Sequence, residues 1–195
     1  MQRFGVTIVD KCAVIIAPNF TLADINSPPT LENKIEVFQR RVIGWQIDIA
    51  DQLLQKIEDS GFAALAVLGS YPEMMWQYRN GQLSKGKSRQ AFCEEMTRIY
   101  PLFDLKYPQN KDALDRIYDE VRCGMYHSGI TKKRVALSGS FNSAIEIALD
   151  GSVKVNPHLW PEDFRQYLYN YIAQLRDTRN EDLRQKFETR FGMRG

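Results

Sequence analysis

From Leu31 the apolar positions settle into a helical rhythm. Leu31, Ile35, Phe38, Val42, Trp45 and Ile49 recur at alternating spacings of four and three, with Glu32, Lys34, Glu36, Arg40 and Arg41 between them, as expected of an amphipathic α-helix. The pattern runs on through Leu53 and Ile57 to a stop at Ser60-Gly61. A seam this long can pack inside a bundle or against a second copy of the chain. A second helix is predicted from Phe62 to Tyr78. It is apolar nearly all round at its start (Leu65, Val67, Leu68), which marks it as buried, and Asn80-Gly81 breaks it. A third runs from Ser88 to Tyr100 through Phe92, Met96 and Ile99, ended by Pro101, and a fourth from Asn110 through Ala113, Leu114, Ile117 and Val121.

On either side of these helices the period changes. Val6-Thr7-Ile8-Val9 and Cys12 to Ala17 are short and rich in β-branched residues, with Asp10-Lys11 between them. They predict a strand pair or one broken strand, followed by a loop at Pro18, Pro28 and Pro29. After Gly129, strand-like runs at Val135-Ala136-Leu137, Ala144 to Leu149 and Val153-Lys154-Val155 are split by Ser138-Gly139-Ser140 and Asp150-Gly151. The Asp-Gly pair is the clearest hairpin signal, and Asn156-Pro157 ends the run. A last long helix opens at Trp160, with Pro161, Glu162 and Asp163 in its first turn, and a shorter charged helix spans about 180–191. The fold class is therefore mainly α, a helical bundle with a small antiparallel β element made of N-terminal strands and a 133–155 hairpin or meander. Residues 1–195 are expected to form one domain, with a helical core over 31–130, a β insertion over 133–156 and C-terminal helices over 160–191.

Composition narrows this little. The 195 residues are 44% hydrophobic and 26% charged with a net charge of +2, so any binding of nucleic acid has to come from a local patch. Three scattered cysteines, Cys12, Cys93 and Cys123, suggest neither a disulfide framework nor a zinc site. No signal peptide or membrane-length apolar run is evident, and the expectation is a cytoplasmic protein without membrane attachment.

Candidate chemistry gathers where the fourth helix ends, at Tyr118-Asp119-Glu120-Val121-Arg122-Cys123-Gly124-Met125-Tyr126-His127-Ser128-Gly129. The chain has two histidines, and His127 follows Arg122 by five residues. In a regular helix five residues turn through about 500°, leaving the two side chains about 140° apart. The histidine must then lie where the helix is ending, or the working site must be assembled from two chains. Cleaving RNA without metal needs a base near the ribose 2′-OH, an acid at the leaving 5′-oxygen and a cation on the phosphorane. Histidine and arginine suit these roles. A structural reading stands beside this one: Arg122 paired with Asp119 one turn earlier, and His127 capping the helix C-terminus. Cys123 and His127, four apart, could also form a thiol–imidazole pair, but no third group orients them, and a buried structural thiol is the simpler expectation.

The stretch resembles the Arg-x4-His motif of the HEPN superfamily, helical dimers many of whose members are metal-independent endoribonucleases and others non-catalytic partners. The resemblance extends more weakly over residues 31 to 130. It implies a HEPN-like bundle acting as a homodimer, with the motifs of two protomers facing each other across the dimer axis. Arg122 would be the phosphate and transition-state stabiliser and His127 the general acid or base. It further implies an RNA substrate, no cofactor or metal, and a toxin–antitoxin or defence setting with a cognate antitoxin as partner. The alternative is a non-catalytic HEPN-like module binding RNA, nucleotide or protein. One position departs from the pattern: active members often carry Asn, Asp or His after the arginine, and here it is Cys123.

Two further stretches carry charge. Gly81-Gln82-Leu83-Ser84-Lys85-Gly86-Lys87-Ser88 matches the phosphate-loop pattern G-x-x-x-x-G-K-[ST] at every fixed position. A true phosphate loop needs a buried strand before it, whereas residues 73–80 read as helix. A polar loop between helices is expected, and nucleotide hydrolysis is the minor reading. Lys85 and Lys87 remain candidate RNA-backbone contacts, with Arg89 beside them, as do Lys132, Lys133 and Arg134 just beyond His127. His158 has no partner pattern and reads as a loop residue.

Overall fold

The computed structural model describes residues 15–25, 28–124 and 134–192. It is mainly helical, with two small β elements. The proposed strand at 6–9 lies outside the described residues. The second N-terminal run appears as β1 (Ile15–Ala17), paired antiparallel with β2 (Phe20–Thr21) across a turn at Pro18-Asn19.

Helix α1 (Leu31–Val42) starts at a reciprocal cap. The Thr30 hydroxyl accepts the Asn33 N–H at 3.2 Å and the Asn33 side chain accepts the Thr30 N–H at 3.1 Å, satisfying two backbone donors that a helix start leaves open. The predicted long helix then passes through a π-helical segment, Ile43–Ile47, into α2 (Asp48–Lys56). A π turn bonds residue i to i+5 and so holds one more residue than an α turn, which moves everything after it off the 3.6-residue phase. The predicted seam is buried at Ile35, Phe38 and Val42, but from the end of the π segment onward Ile47 and Ala50 take over the core. Trp45 and Ile49, expected inside, are 51% and 43% exposed.

Gly69-Ser70 divides the predicted second helix into α3 (Gly61–Leu68) and α4 (Tyr71–Asn80), and Gly81, in the left-handed region at φ 67°, ends α4. A Cβ on Gly81 would lie 3.0 Å from Lys186 Cα, so the last helix also depends on this glycine for its close approach. The third and fourth predicted helices are α5 (Ser88–Ile99) and α6 (Pro108–Ile117). The C-terminal pair are α7 (Trp160–Arg176) and α8 (Glu181–Gly192).

The second β element contains β3 (Val135–Leu137), β4 (Ile145–Ile147) and β5 (Val153–Val155) in the order β3-β5-β4. The Asp-Gly hairpin forms as predicted, β4 antiparallel to β5, but β3 runs parallel to β5 on its other side, so the order is not that of a meander. Asn156 braces this crossing: buried, its side-chain amide donates to the carbonyls of Gly139 and Phe141 in the β3–β4 connection, at 3.2 and 2.6 Å. Val135, Ile145, Val153 and Val155 turn one face of the sheet into the main core.

That core centres on α7. The Trp160 indole donates to the Ala144 carbonyl at 3.2 Å, Tyr71 and Phe164 stack with ring centroids 4.4 Å apart, and the Tyr71 hydroxyl donates to the Phe164 carbonyl at 2.8 Å. Phe38, Tyr78 and Phe187 join α1, α4 and α8 in a second aromatic group.

The phase shift makes a testable contrast. Ile47→Ala, in the core, is expected to cost about 2–5 kcal/mol of folding stability. Trp45→Ala, the larger truncation, should cost less than about 1 kcal/mol, mainly its contact with Arg41. Urea unfolding of both variants checks this; a larger loss for Trp45→Ala would contradict the π register.

Candidate functional site at Arg122

Helix α6 runs on into a second π-helical segment, Tyr118–Cys123. The wider turn brings residues five apart closer together, and Tyr118 and Cys123 stand at the two ends of this segment. Burial first, and then Cys123, push the Tyr118 phenol above its ordinary pKa. Arg122 therefore stands on a π turn and not on the regular α-helix assumed from its spacing. His127 lies outside the described residues, as do Lys132 and Lys133.

The expected Arg122–Asp119 pair does not form. Asp119 is taken by Arg89, whose guanidinium meets both carboxylate oxygens at 2.8 and 2.5 Å and lies 4.9 Å from the centroid of the Tyr118 ring. The Asp119 hydrogen bonds hold Arg89 protonated well above its already high ordinary pKa. Arg89 is thus a tie between the start of α5 and the π segment. Arg122 instead reaches α4, where its Nη2 is 3.3 Å from Glu73 Oε2. Gly69, at the end of α3, lies against this segment: a Cβ there would sit 3.5 Å from Arg122 Cα, an ordinary contact.

Glu73 also connects Arg122 to the glycine- and lysine-rich loop. Its other oxygen, Oε1, accepts the Ser84 hydroxyl at 2.5 Å, and Ser84 is buried. The loop that matches the phosphate pattern follows helix α4, with no strand feeding it, and its Ser84 is spent on an internal contact. Lys87, the position that would hold phosphate in such a loop, turns back to Gln82 Oε1 at 3.1 Å and lies 5.2 Å from the Trp76 ring centroid. Lys85 is exposed, and Arg134 is exposed at the start of β3. One carboxylate thus joins Arg122 to the segment carrying Lys85 and Lys87, two stretches that the sequence presented as unrelated.

Sequence reasoning missed Glu73, although a signal was present: it is the one charged residue between Asp59 and Arg79. It missed Glu95 as well, which sits on the apolar side of α5 and is fully buried. Glu95 accepts the Tyr167 hydroxyl and pairs with Arg79 at 3.3 Å and Arg98 at 2.7 Å, so its charge is compensated where burial would otherwise be costly. This network joins α4, α5 and α7 and serves architecture. His158, in the turn before α7, is exposed; its backbone N–H donates to the Asn156 side chain at 2.9 Å.

Among the described residues no group of three His, Cys, Asp or Glu is placed to hold a metal ion, and no helix is long and apolar enough to cross a membrane. The chain was compared with protein-family models, with curated proteins and with solved structures, and none of the three comparisons gave a match.

Cys93 is buried, and its thiol donates to Asp115 Oδ1 at 3.7 Å. Burial, reinforced by the Asp115 charge, pushes the thiol up to about 12. At pH 8 about one thiol in ten thousand would be ionised. Iodoacetamide should therefore leave Cys93 unmodified in the folded protein and alkylate it in urea, as read by peptide mass spectrometry. Alkylation at equal rates in both states would contradict this placement.

Proposed function

We propose that the protein is a metal-independent endoribonuclease of HEPN type, with Arg122 stabilising the phosphorane and His127 transferring protons. The supporting observation is the placement of Arg122: it is half-buried on a π turn, a feature frequent at functional sites, and one carboxylate away from a lysine-bearing loop. In this reading the 2′-hydroxyl attacks the adjacent phosphorus, a base removes its proton, and an acid returns a proton to the departing 5′-oxygen. The sequence has one histidine near the motif, so separate acid and base would come from two copies of His127 in a homodimer. Lys85, Lys87, Lys132, Lys133 and Arg134 are the candidate backbone contacts. A toxin–antitoxin or defence role, with a cognate antitoxin, belongs to the same proposal.

A second reading, a non-catalytic HEPN-like module that binds RNA or a protein partner, is favoured by the ion pair that Arg122 already makes with Glu73 and by Cys123 in the following position. Cleavage separates the two. The ribonuclease should cut single-stranded RNA in EDTA, and Arg122→Ala and His127→Ala should each lower the rate by about 100-fold or more with folding retained. An unchanged rate in His127→Ala would overturn the assignment. RNA binding without cleavage by the unaltered protein would favour the module.

A further inference from the structure

The hydrogen bonds behind Arg122 form a directed chain that starts in the last helix. Arg190 Nε on α8 donates to Gln77 Oε1 at 2.9 Å, and Gln77 Nε2 donates to Ser84 Oγ at 3.0 Å. Ser84 Oγ donates its own hydrogen bond to Glu73 Oε1 at 2.5 Å, and Arg122 Nη2 meets Glu73 Oε2 at 3.3 Å. Every direction in the chain is fixed by chemistry. Arg190 can only donate, so the Gln77 oxygen must face it; the Gln77 amide then gives its proton to Ser84, whose single proton is left for the carboxylate. With Oε1 engaged by Ser84, Oε2 is the oxygen turned toward Arg122.

Glu73 is also costly to place. Its side chain is 11% exposed, against 28% for Arg122, and a carboxylate so far withdrawn from water loses hydration that its partners must replace. It sits in the first turn of α4, where the helix dipole favours an anion. Helix dipole, serine hydroxyl and guanidinium together hold one carboxylate in one orientation, in a stretch that otherwise has no charge from residue 60 to residue 78.

The geometry points to Glu73 as the positioning residue for Arg122, itself oriented by Ser84. The catalytic consequence rests on the ribonuclease reading; the positioning does not. An arginine that stabilises a phosphorane helps in proportion to how well it is placed before the reaction, and Glu73 supplies that placement from α4. The same carboxylate lies close to where a phosphate would meet Arg122, so it opposes anion binding. Removing its charge should therefore have opposite effects on binding and on chemistry.

The test uses the full-length protein and the Glu73→Gln and Ser84→Ala variants. Cleavage is followed with single-stranded RNA in EDTA, and affinity with an oligodeoxynucleotide that lacks the attacking 2′-hydroxyl. Glu73→Gln should lower kcat by about 10-fold or more while binding the oligodeoxynucleotide as tightly as the unaltered protein or a few-fold more tightly. Ser84→Ala should move both readouts the same way by less. General damage to the fold would weaken binding and cleavage together, and that result, or a kcat within about two-fold of the unaltered protein, would overturn the proposal. The Nε–H resonance of Arg122, identified by its loss in Arg122→Lys, supplies a readout independent of activity. It should shift in Glu73→Gln and in Ser84→Ala. If the unaltered protein cleaves no RNA, the ribonuclease reading fails, and this resonance decides the positioning alone: a signal unmoved in Glu73→Gln overturns it.

Discussion

A carboxylate held away from water has to be answered by the protein around it, and Glu73 shows how much structure that demand recruits. Its two oxygens draw on elements far apart in sequence: the loop after α4 through Ser84 and the π segment after α6 through Arg122. Ser84 in turn is fixed by Gln77, and Gln77 by Arg190 in the final helix. Loop, π segment and C-terminal helix thus take their relative positions around one charge. Leaving such a charge without partners would cost more than most single contacts provide, and this demand underlies the proposed role of Glu73 in positioning Arg122.

The two π-helical segments serve the same economy of placement. Ile43–Ile47 rotates the first helix so that Ile47 and Ala50 enter the core, and Tyr118–Cys123 brings Tyr118 beside Cys123 and presents Arg122 to α4. Both lie against α3, whose eight residues carry no charge and which ends at Gly69, where Arg122 approaches the backbone.

Much of the fold was legible in the sequence because periodicity reports burial directly. The Gly81 stop, the Asp150-Gly151 hairpin and the helix from Trp160 follow from local chemistry that acts over a few residues. What could not be read depended on partners distant in the chain. A π turn inserts its extra residue without a composition signal, so Trp45 and Ile49 were placed inside by a phase that the structure does not keep. Nothing near Val135 announces a parallel pairing with Val153, a crossing that Asn156 braces. At the candidate site the sequence offered Arg122 with Asp119 as the nearest acid, whereas Asp119 is bound by Arg89 and Arg122 by a glutamate 49 positions earlier. The phosphate-loop match shows the converse: every fixed letter was present, and the helix before it removed the setting in which those letters bind phosphate.

The account depends on Arg122 acting on a phosphodiester attacked by its own ribose 2′-hydroxyl. The most direct measurement is the chemistry of the ends produced when the protein is incubated with RNA in EDTA, read by mass spectrometry beside a substrate carrying a single 2′-deoxy nucleotide at the cleaved position. The account predicts fragments ending in a 2′,3′-cyclic phosphate and beginning with a 5′-hydroxyl, and no cut at the deoxy position. Fragments with 3′-hydroxyl and 5′-phosphate ends, or cleavage that continues at the deoxy nucleotide, would contradict it.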